Sequence, residues 1–399
     1  MIAKHRERFN AEFTPHRYQD FLRALNVRCR SEIHFRVCET PAFFPESLIN
    51  TMVKYGDELM QQLLGDHEYM RESERSVPPQ WNVPNENATP LFVSLDFGLV
   101  RGLAGDIQPK LVELQAFPTL YAYQAVLGQQ YKDSFSVDPK LKVLCGDFDL
   151  NSYRELLQRV IVGGHAPENV VLLEIDPSEQ KTAPDFRITE EWLSIPTVNI
   201  REVVKRGNKL HYSKAGKLVP IARIYNRTIV DELERKQVKL PFDYRDDLEV
   251  EWAGHPNWYF RISKFSIPFL KHQCVPKTWF LDQLTTIPKD RENYLLKPLY
   301  SFAGSGIVFG PTDAQLKAIP KNERHNYILQ ERMSFAPVIE TPHGATQAEI
   351  RIMYIWPEGE RMIPVMALVR MGRGKMMGVD HNKNLEWVGG SAGLIDPSL

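Results

Sequence analysis

The chain has 399 residues, with 49 Lys and Arg against 50 Asp and Glu, 43% apolar and 25% charged residues. That length exceeds one typical hydrophobic core, so two or three domains are expected, and a formal charge of −1 offers no global attraction to nucleic acid or anionic membrane. The opening MIAKHRERFNAEF lacks the apolar segment of a secretory signal and no run approaches the roughly 20 apolar residues that span a bilayer, so the expectation is a cytoplasmic protein with no nucleic-acid or membrane partner.

HRYQDFLRALN reads as a short amphipathic helix, and a longer one follows Pro45, with Leu48, Ile49, Met52, Val53, Leu59, Leu63 and Leu64 at helical spacing for core packing. RESERSVPPQWNVPNENATP reads as a loop. LFVSLDFGLV and KLVEL then form a hairpin through RGLAGDIQP. On its second strand, residues two apart share a face, so Glu113 and Gln115 point one way while Val112, Leu114 and Ala116 point the other. A carboxylate buried there needs a partner.

From residue 141 the pattern alternates: KVLCGDF as strand, NSYRELLQRVIVGG as helix, NVVLLEIDP as strand, ITEEWLSI as helix and PTVNI as strand. This predicts a small α/β domain with a parallel sheet. Its glycine pair follows a helix, where glycine caps, and is not the GxGxxG of a dinucleotide site. Glu174, Lys181, Thr182 and Asp185 lie at a strand end, where such domains bind ligands, although a solvated loop has the same composition. The last third (YLLKPL, GIVFG, YILQERM, AEIRIMYIW, IPVMALVRM) reads as short, mainly antiparallel strands. The predicted fold is therefore α/β with α+β elements, divided at 1–140, 141–254 and 255–399.

The four cysteines (Cys29, Cys38, Cys145, Cys274) show neither CxxC nor zinc spacing and read as reduced thiols. The densest chemistry lies in YLLKPLYSFAGSGIVFG, where Lys297 precedes a turn carrying Ser301, Gly304, Ser305 and Gly306. Successive backbone N–H groups in such a turn cradle phosphate oxygens and a lysine adds charge; a tight hairpin with a surface lysine is the plainer reading. The P-loop order is absent. Gln330 and Glu331 close an apolar strand whose backbone suits an adenine edge. Glu349 and Arg351 share one strand face and Arg370 ends another strand; singly, each also fits an edge charge facing water. Asp96, Glu113 and Gln115 offer three hard oxygen donors, a set suited to Mg²⁺ completed by phosphates and water, or else a polar sheet face.

Taken together these residues resemble the circularly permuted ATP-grasp superfamily, specifically the synthetase part of the glutathionylspermidine synthase-like family. There an Asp followed by Glu-x-Asn on the next strand binds magnesium ahead of the nucleotide lysines; Asp96, Glu113 and Gln115 are similar, with Gln for Asn. Ser263-Lys264 resembles the first lysine site, Lys297-Pro298 with AGSG the second, YILQERMSFAPV the adenine hinge, and Arg370 the late arginine that contacts phosphate. The resemblance covers residues 90–125 and 255–375. It implies an ADP-forming, ATP- and Mg²⁺-dependent carboxylate–amine ligase with a small Rossmann-like pre-grasp domain, acting through an acyl phosphate on small-molecule or peptide substrates. It implies Asp96, Glu113 and Gln115 for metal, Lys264, Lys297, Ser301, Gly304, Ser305, Gly306, Gln330 and Glu331 for ATP, and Arg351 and Arg370 for catalysis. Two departures matter. Ser94 stands where the family has an arginine, leaving Arg101, Arg351, Arg223 or Arg227 to replace it. The C-terminal GVDHNKNLEWVGGSAG is similar to non-permuted ATP-grasp sequences, which makes Glu349 with Asn382 or Asn384 a competing metal set. The alternatives are a small-molecule kinase on the same scaffold and a nucleotide-binding protein without catalysis.

Overall fold

The structure, a computed structural model, describes residues 1–300, 305–375, 377–378, 382 and 384–399. Ser301 and Gly304 of the glycine turn lie outside the described residues.

The central element is a six-stranded sheet in the order Ala42–Pro45, Gly389–Asp396, Ile363–Gly372, Gln347–Ile355, Phe92–Arg101 and Ile107–Gln115. The first pair is parallel and the others antiparallel. The hairpin expected at 92–115 is thus present, and it extends a sheet built by the last three strands of the chain. Alternation assigns its faces. Val93, Leu95, Phe97 and Leu99 join Ile350, Ile352 and Tyr354 under Ile49, Met52, Leu59 and Leu63 of the Glu46–Gly65 helix. That helix passes close to the sheet at Gly56, where a Cβ would lie 2.1 Å from the Tyr354 hydroxyl. The opposite face is apolar at one end, where Phe92, Met353 and Ile355 pack on the α/β part. At the other end it carries Asp96, Glu349 and Arg351.

The α/β part is a four-stranded parallel sheet in the order Glu251–Ala253, Arg223–Asn226, Val170–Glu174 and Thr197–Asn199. Val170–Leu173 is buried on both faces, as a continuous apolar run in a parallel sheet requires. The strand that ends at Glu174 opens toward the polar end of the central sheet. An antiparallel sheet of Thr278–Phe280, Tyr327–Glu331, Tyr294–Pro298 and Val308–Phe309 covers the other side, and Val204–Arg206, Lys209–Lys214 and Lys217–Ile221 form a three-stranded flap.

Three local expectations change. KVLCGDF is not a strand of the parallel sheet; Lys142 and Leu144 make single bridges to Ile395 and Met366, clipping this connection to the central sheet. RESER is not loop but the end of a helix, His67–Arg75, nucleated by the Asp66 side chain accepting from the Glu68 and Tyr69 N–H groups and anchored by buried Tyr69 and Ser73. Val112 does not stay on the apolar face. A bulge, where Asp96 pairs with Glu113 but Phe97 pairs with Leu111, turns Val112 out with Glu113.

All four cysteines are buried free thiols, and burial pushes each thiol up to about 12. Among the described residues no helix is long and apolar enough to cross a membrane.

Candidate functional site

A cleft of about 1020 Å³ opens where the three sheets meet. Its floor is the polar end of the central sheet, with Glu113, Gln115, Glu349, Arg351 and Arg370; Leu295, Lys297 and Phe309 of the antiparallel sheet roof it; Glu174 and Arg227 stand at the carboxyl ends of the parallel strands. This last position is where open α/β sheets bind ligands.

Cross-strand register assembles the floor. Arg351 stands opposite Asp96, which stands opposite Glu113, and one step along Arg370 faces Glu349. Arg351 grips Asp96 with Nε to Oδ1 at 2.6 Å and Nη2 to Oδ2 at 2.7 Å. Arg370 Nη1 donates to Asp96 Oδ2 at 2.9 Å and also to Glu349 Oε1. Glu113 Oε1 lies 3.9 Å from Arg351 Nη2. The Gln115 amide is satisfied when its oxygen faces Arg351, accepting from Nη1 at 2.6 Å and Nη2 at 2.9 Å, with the Ser94 hydroxyl at 3.3 Å. Asp96 is 1% exposed. Burial pushes its carboxyl up, but Arg351 and Arg370 overcome that and hold it below the usual range. Burial raises Glu349, against the pull of Arg370.

Two buried lysines lie on the other side, where Lys297 lines the cleft and Lys264 does not. Lys264 opens a 3₁₀ turn, Lys264–Phe269, with Nζ 3.4 Å from the Leu299 carbonyl. Lys297 Nζ donates to the carbonyl of bulged Val112 at 3.4 Å. Burial lowers both ammonium groups; for Lys297 burial and neighbouring Lys264, opposed by Glu113 and Glu349, bring it to about 8. Gln330 is wholly buried, in register with Leu295, its amide donating to Thr278 Oγ1 at 3.1 Å while its oxygen has no partner among the described residues. Such an acceptor suits an added donor. Glu331 pairs instead with surface Lys277 at 3.7 Å. Ser305 and Gly306 form an exposed turn, where Gly306 has φ +73°.

At the far end Arg227 is 2% exposed, sandwiched by Phe117 and Phe186 at 5.4 and 5.3 Å. Among the described residues its Nε and Nη1 have no hydrogen-bond partner. Burial raises neighbouring Glu174 to about 8, with Arg227 opposing. Asp185 is not a cleft group: it caps the Tyr123–Ser134 helix, accepting from the Leu120, Ala122 and Tyr123 N–H groups.

Of the four arginines considered as replacements at Ser94, Arg351 and Arg227 line the cleft; Arg101 is exposed near the hairpin tip, and Arg223 binds Glu251 and the Val160 and Ile161 carbonyls. Asn382 is buried with Nδ2 on the Gly378 carbonyl, and Asn384 is exposed; neither lines the cleft. Sequence reasoning missed Phe117 and Phe186, which no local pattern marks, and Lys375, whose ammonium lies 5.9 Å from the Phe309 ring. The basic turn RMGRGK, residues 370–375, was the available signal for the latter.

A charge-lined cleft between a large mixed sheet, a small antiparallel sheet and a parallel α/β part describes a fold shared with a solved glutathione synthetase-like protein. The particular likeness is to a glutathione synthetase-like effector, GSS30, from Globodera pallida, solved without ligand: TM-score 0.62 and 13% identity, over 95% of this chain and 96% of that one. At that identity the likeness is one of fold. No family model matches the chain, and no curated protein matches it.

Proposed function

We propose that the protein is an ATP- and Mg²⁺-dependent carboxylate–amine ligase, built on a circularly permuted ATP-grasp with residues 141–254 as pre-grasp domain. The observation that carries this is the convergence in one cleft of Lys297, Arg351 and Arg370 with two carboxylates that face it, Glu113 and Glu349. Phosphoryl transfer needs positioning and charge neutralisation rather than a protein nucleophile, and the inert, buried thiols accord with that.

Among the described residues no three His, Cys, Asp or Glu side chains group as a free metal site would require. Two carboxylates nevertheless fit Mg²⁺ that arrives with nucleotide, since this ion commonly keeps one or two carboxylates and takes phosphates and water for the rest. The assignment is Glu113 and Glu349, because the Asp96 and Gln115 oxygens accept from Arg351. Held by Glu113 and Glu349, the ion would supply neutralisation of the charge that develops on the phosphates. Lys264 and Lys297 hold phosphates from the roof, Gln330 offers its free acceptor to the base, and Arg351 and Arg370 flank the transferred group. The substrate carboxylate attacks the γ-phosphorus and expels ADP; the amine then displaces phosphate from the acyl phosphate. Arg227 and Glu174 hold the distal end of the acid substrate: two unpartnered guanidinium nitrogens suit a second carboxylate, and a protonated Glu174 can donate to it.

The test is incubation with ATP, Mg²⁺ and pooled amino acids and short peptides, with hydroxylamine as trap. Carboxylate-dependent ADP release with an acyl hydroxamate is the expected result. A stable phosphorylated product formed without any amine would replace this reading with a kinase.

A further inference from the structure

Asp96 has the wrong surroundings for a metal ligand. Oδ1 accepts from Arg351 Nε at 2.6 Å, and Oδ2 accepts from Arg351 Nη2 at 2.7 Å and Arg370 Nη1 at 2.9 Å. The residue is 1% exposed and does not line the cleft. A cation entering there would sit against two guanidinium groups. Those groups do line the cleft. A carboxylate removed from water is strongly unfavourable unless paired and hydrogen-bonded, and here the pairing is bidentate to one arginine and shared with a second.

We propose that Asp96 is a positioning residue for anion recognition: it locks Arg351 and Arg370 side by side as a preformed cradle for a phosphoryl group, and it does not bind the magnesium. The inference rests on the ligase reading for its ligand, and it deepens that reading by separating the three acidic residues of the floor. Glu113 faces the cleft with 31% of its side chain exposed and is held only at 3.9 Å by Arg351, so it is open to a cation. Glu349 leans on Arg370 alone. Asp96 is closed off beneath both arginines. Fixing two long side chains before ligand arrives removes ordering entropy from the binding step, and Gln115 adds a second acceptor that keeps Arg351 in plane.

Two titrations of the full chain separate the roles. The first measures tripolyphosphate affinity in EDTA by calorimetry. The second measures Mn²⁺ affinity by electron paramagnetic resonance with a non-hydrolysable ATP analogue saturating. Asp96→Asn is expected to weaken tripolyphosphate about tenfold or more while leaving Mn²⁺ within about twofold; Glu113→Gln is expected to do the reverse. Because a neutral residue leaves two buried guanidiniums less compensated, Asp96→Glu serves as the second variant: it keeps the charge, displaces the pair by one methylene, and should show the same split with a wild-type melting temperature. Loss of Mn²⁺ affinity in either Asp96 variant with tripolyphosphate unchanged would overturn the proposal and return Asp96 to the metal. Failure of the wild-type protein to bind either probe would remove the nucleotide reading itself, and this inference with it.

Discussion

The floor and the far end of the cleft handle charge in opposite ways. On the floor every charge that cross-strand register buries has a partner: Asp96 holds Arg351 and Arg370, and Arg370 holds Glu349. At the far end Arg227 is as deeply buried, yet among the described residues two of its nitrogens have no acceptor, and its guanidinium lies between aromatic rings with Glu174 acting on it only through its charge. Cation–π contacts of that kind return about 0.5–2 kcal/mol, whereas each unsatisfied buried donor costs about 1–3 kcal/mol. The difference teaches where ligand energy enters. The floor is internally paired without ligand; the far end carries a cost that an anionic group would relieve.

The largest effect should come from Glu113, the floor carboxylate that is open rather than clamped. Glu113→Ala is expected to abolish ADP formation, by roughly a thousandfold or more if it holds the ion on which phosphoryl transfer depends, with circular dichroism and melting temperature unchanged. Full activity in that variant would erase the distinction between Glu113 and its clamped neighbours. Next is Arg227→Met, which removes the orphan donors and keeps an apolar body between Phe117 and Phe186. Its KM for the acid substrate should rise about 10- to 100-fold while kcat changes little. An equal fall in kcat with unchanged KM would place Arg227 on the reacting centre and collapse the contrast between the two ends.

How far the cleft was legible follows from the range of the interactions. Period-two alternation put Glu113 and Gln115 on one face, and they do share the cleft. The alternation of strand and helix patterns from residue 141 announced a parallel sheet, because each crossover leaves its own period between the strands it joins. The Asp96–Arg351 pair, by contrast, joins residues 255 positions apart. Its existence depends on which strand docks beside which, and no window around either residue contains that choice. The same holds for the Val112 bulge, fixed by partners on the neighbouring strand. KVLCGDF misled because it does pair, at Lys142 and Leu144, but one bridge at a time with the central sheet. The helix His67–Arg75 went unread because the segment it runs into is charge-rich and proline-flanked, the composition of a loop.

Lys297 and Glu174 carry the comparison into pH, with the smaller effects. Burial brings Lys297 to about 8, so the roof ammonium is lost as pH rises through that value. A bound polyphosphate favours the charged form and should draw a proton onto it. Tripolyphosphate affinity is therefore expected to fall above pH 8, by at most about tenfold per unit, with proton uptake at pH 8–9 visible as a buffer-dependent calorimetric heat. Lys297→Met should be flat over the same range; a wild-type profile equally flat would show that the lysine stays charged.

For Glu174 the sign runs the other way through stability. Its folded value of about 8 lies above the usual 4.5, so the folded state binds the extra proton between those limits. The stabilisation from that proton is complete below about pH 4.5 and is lost as pH rises through about 8. Glu174→Gln cannot ionise, and its amide oxygen can still accept from the Ile175 N–H that Glu174 now holds at 2.8 Å. The variant should match wild type near pH 5 and exceed it by on the order of 1–3 kcal/mol at pH 8.5, with Arg227 limiting the gain because it partly compensates the anion. Melting temperatures across pH 5–9 give the answer. Curves that run parallel over the whole range would mean that Glu174 is ionised in the fold, and then the two orphan nitrogens of Arg227 would have to be credited with a carboxylate already beside them.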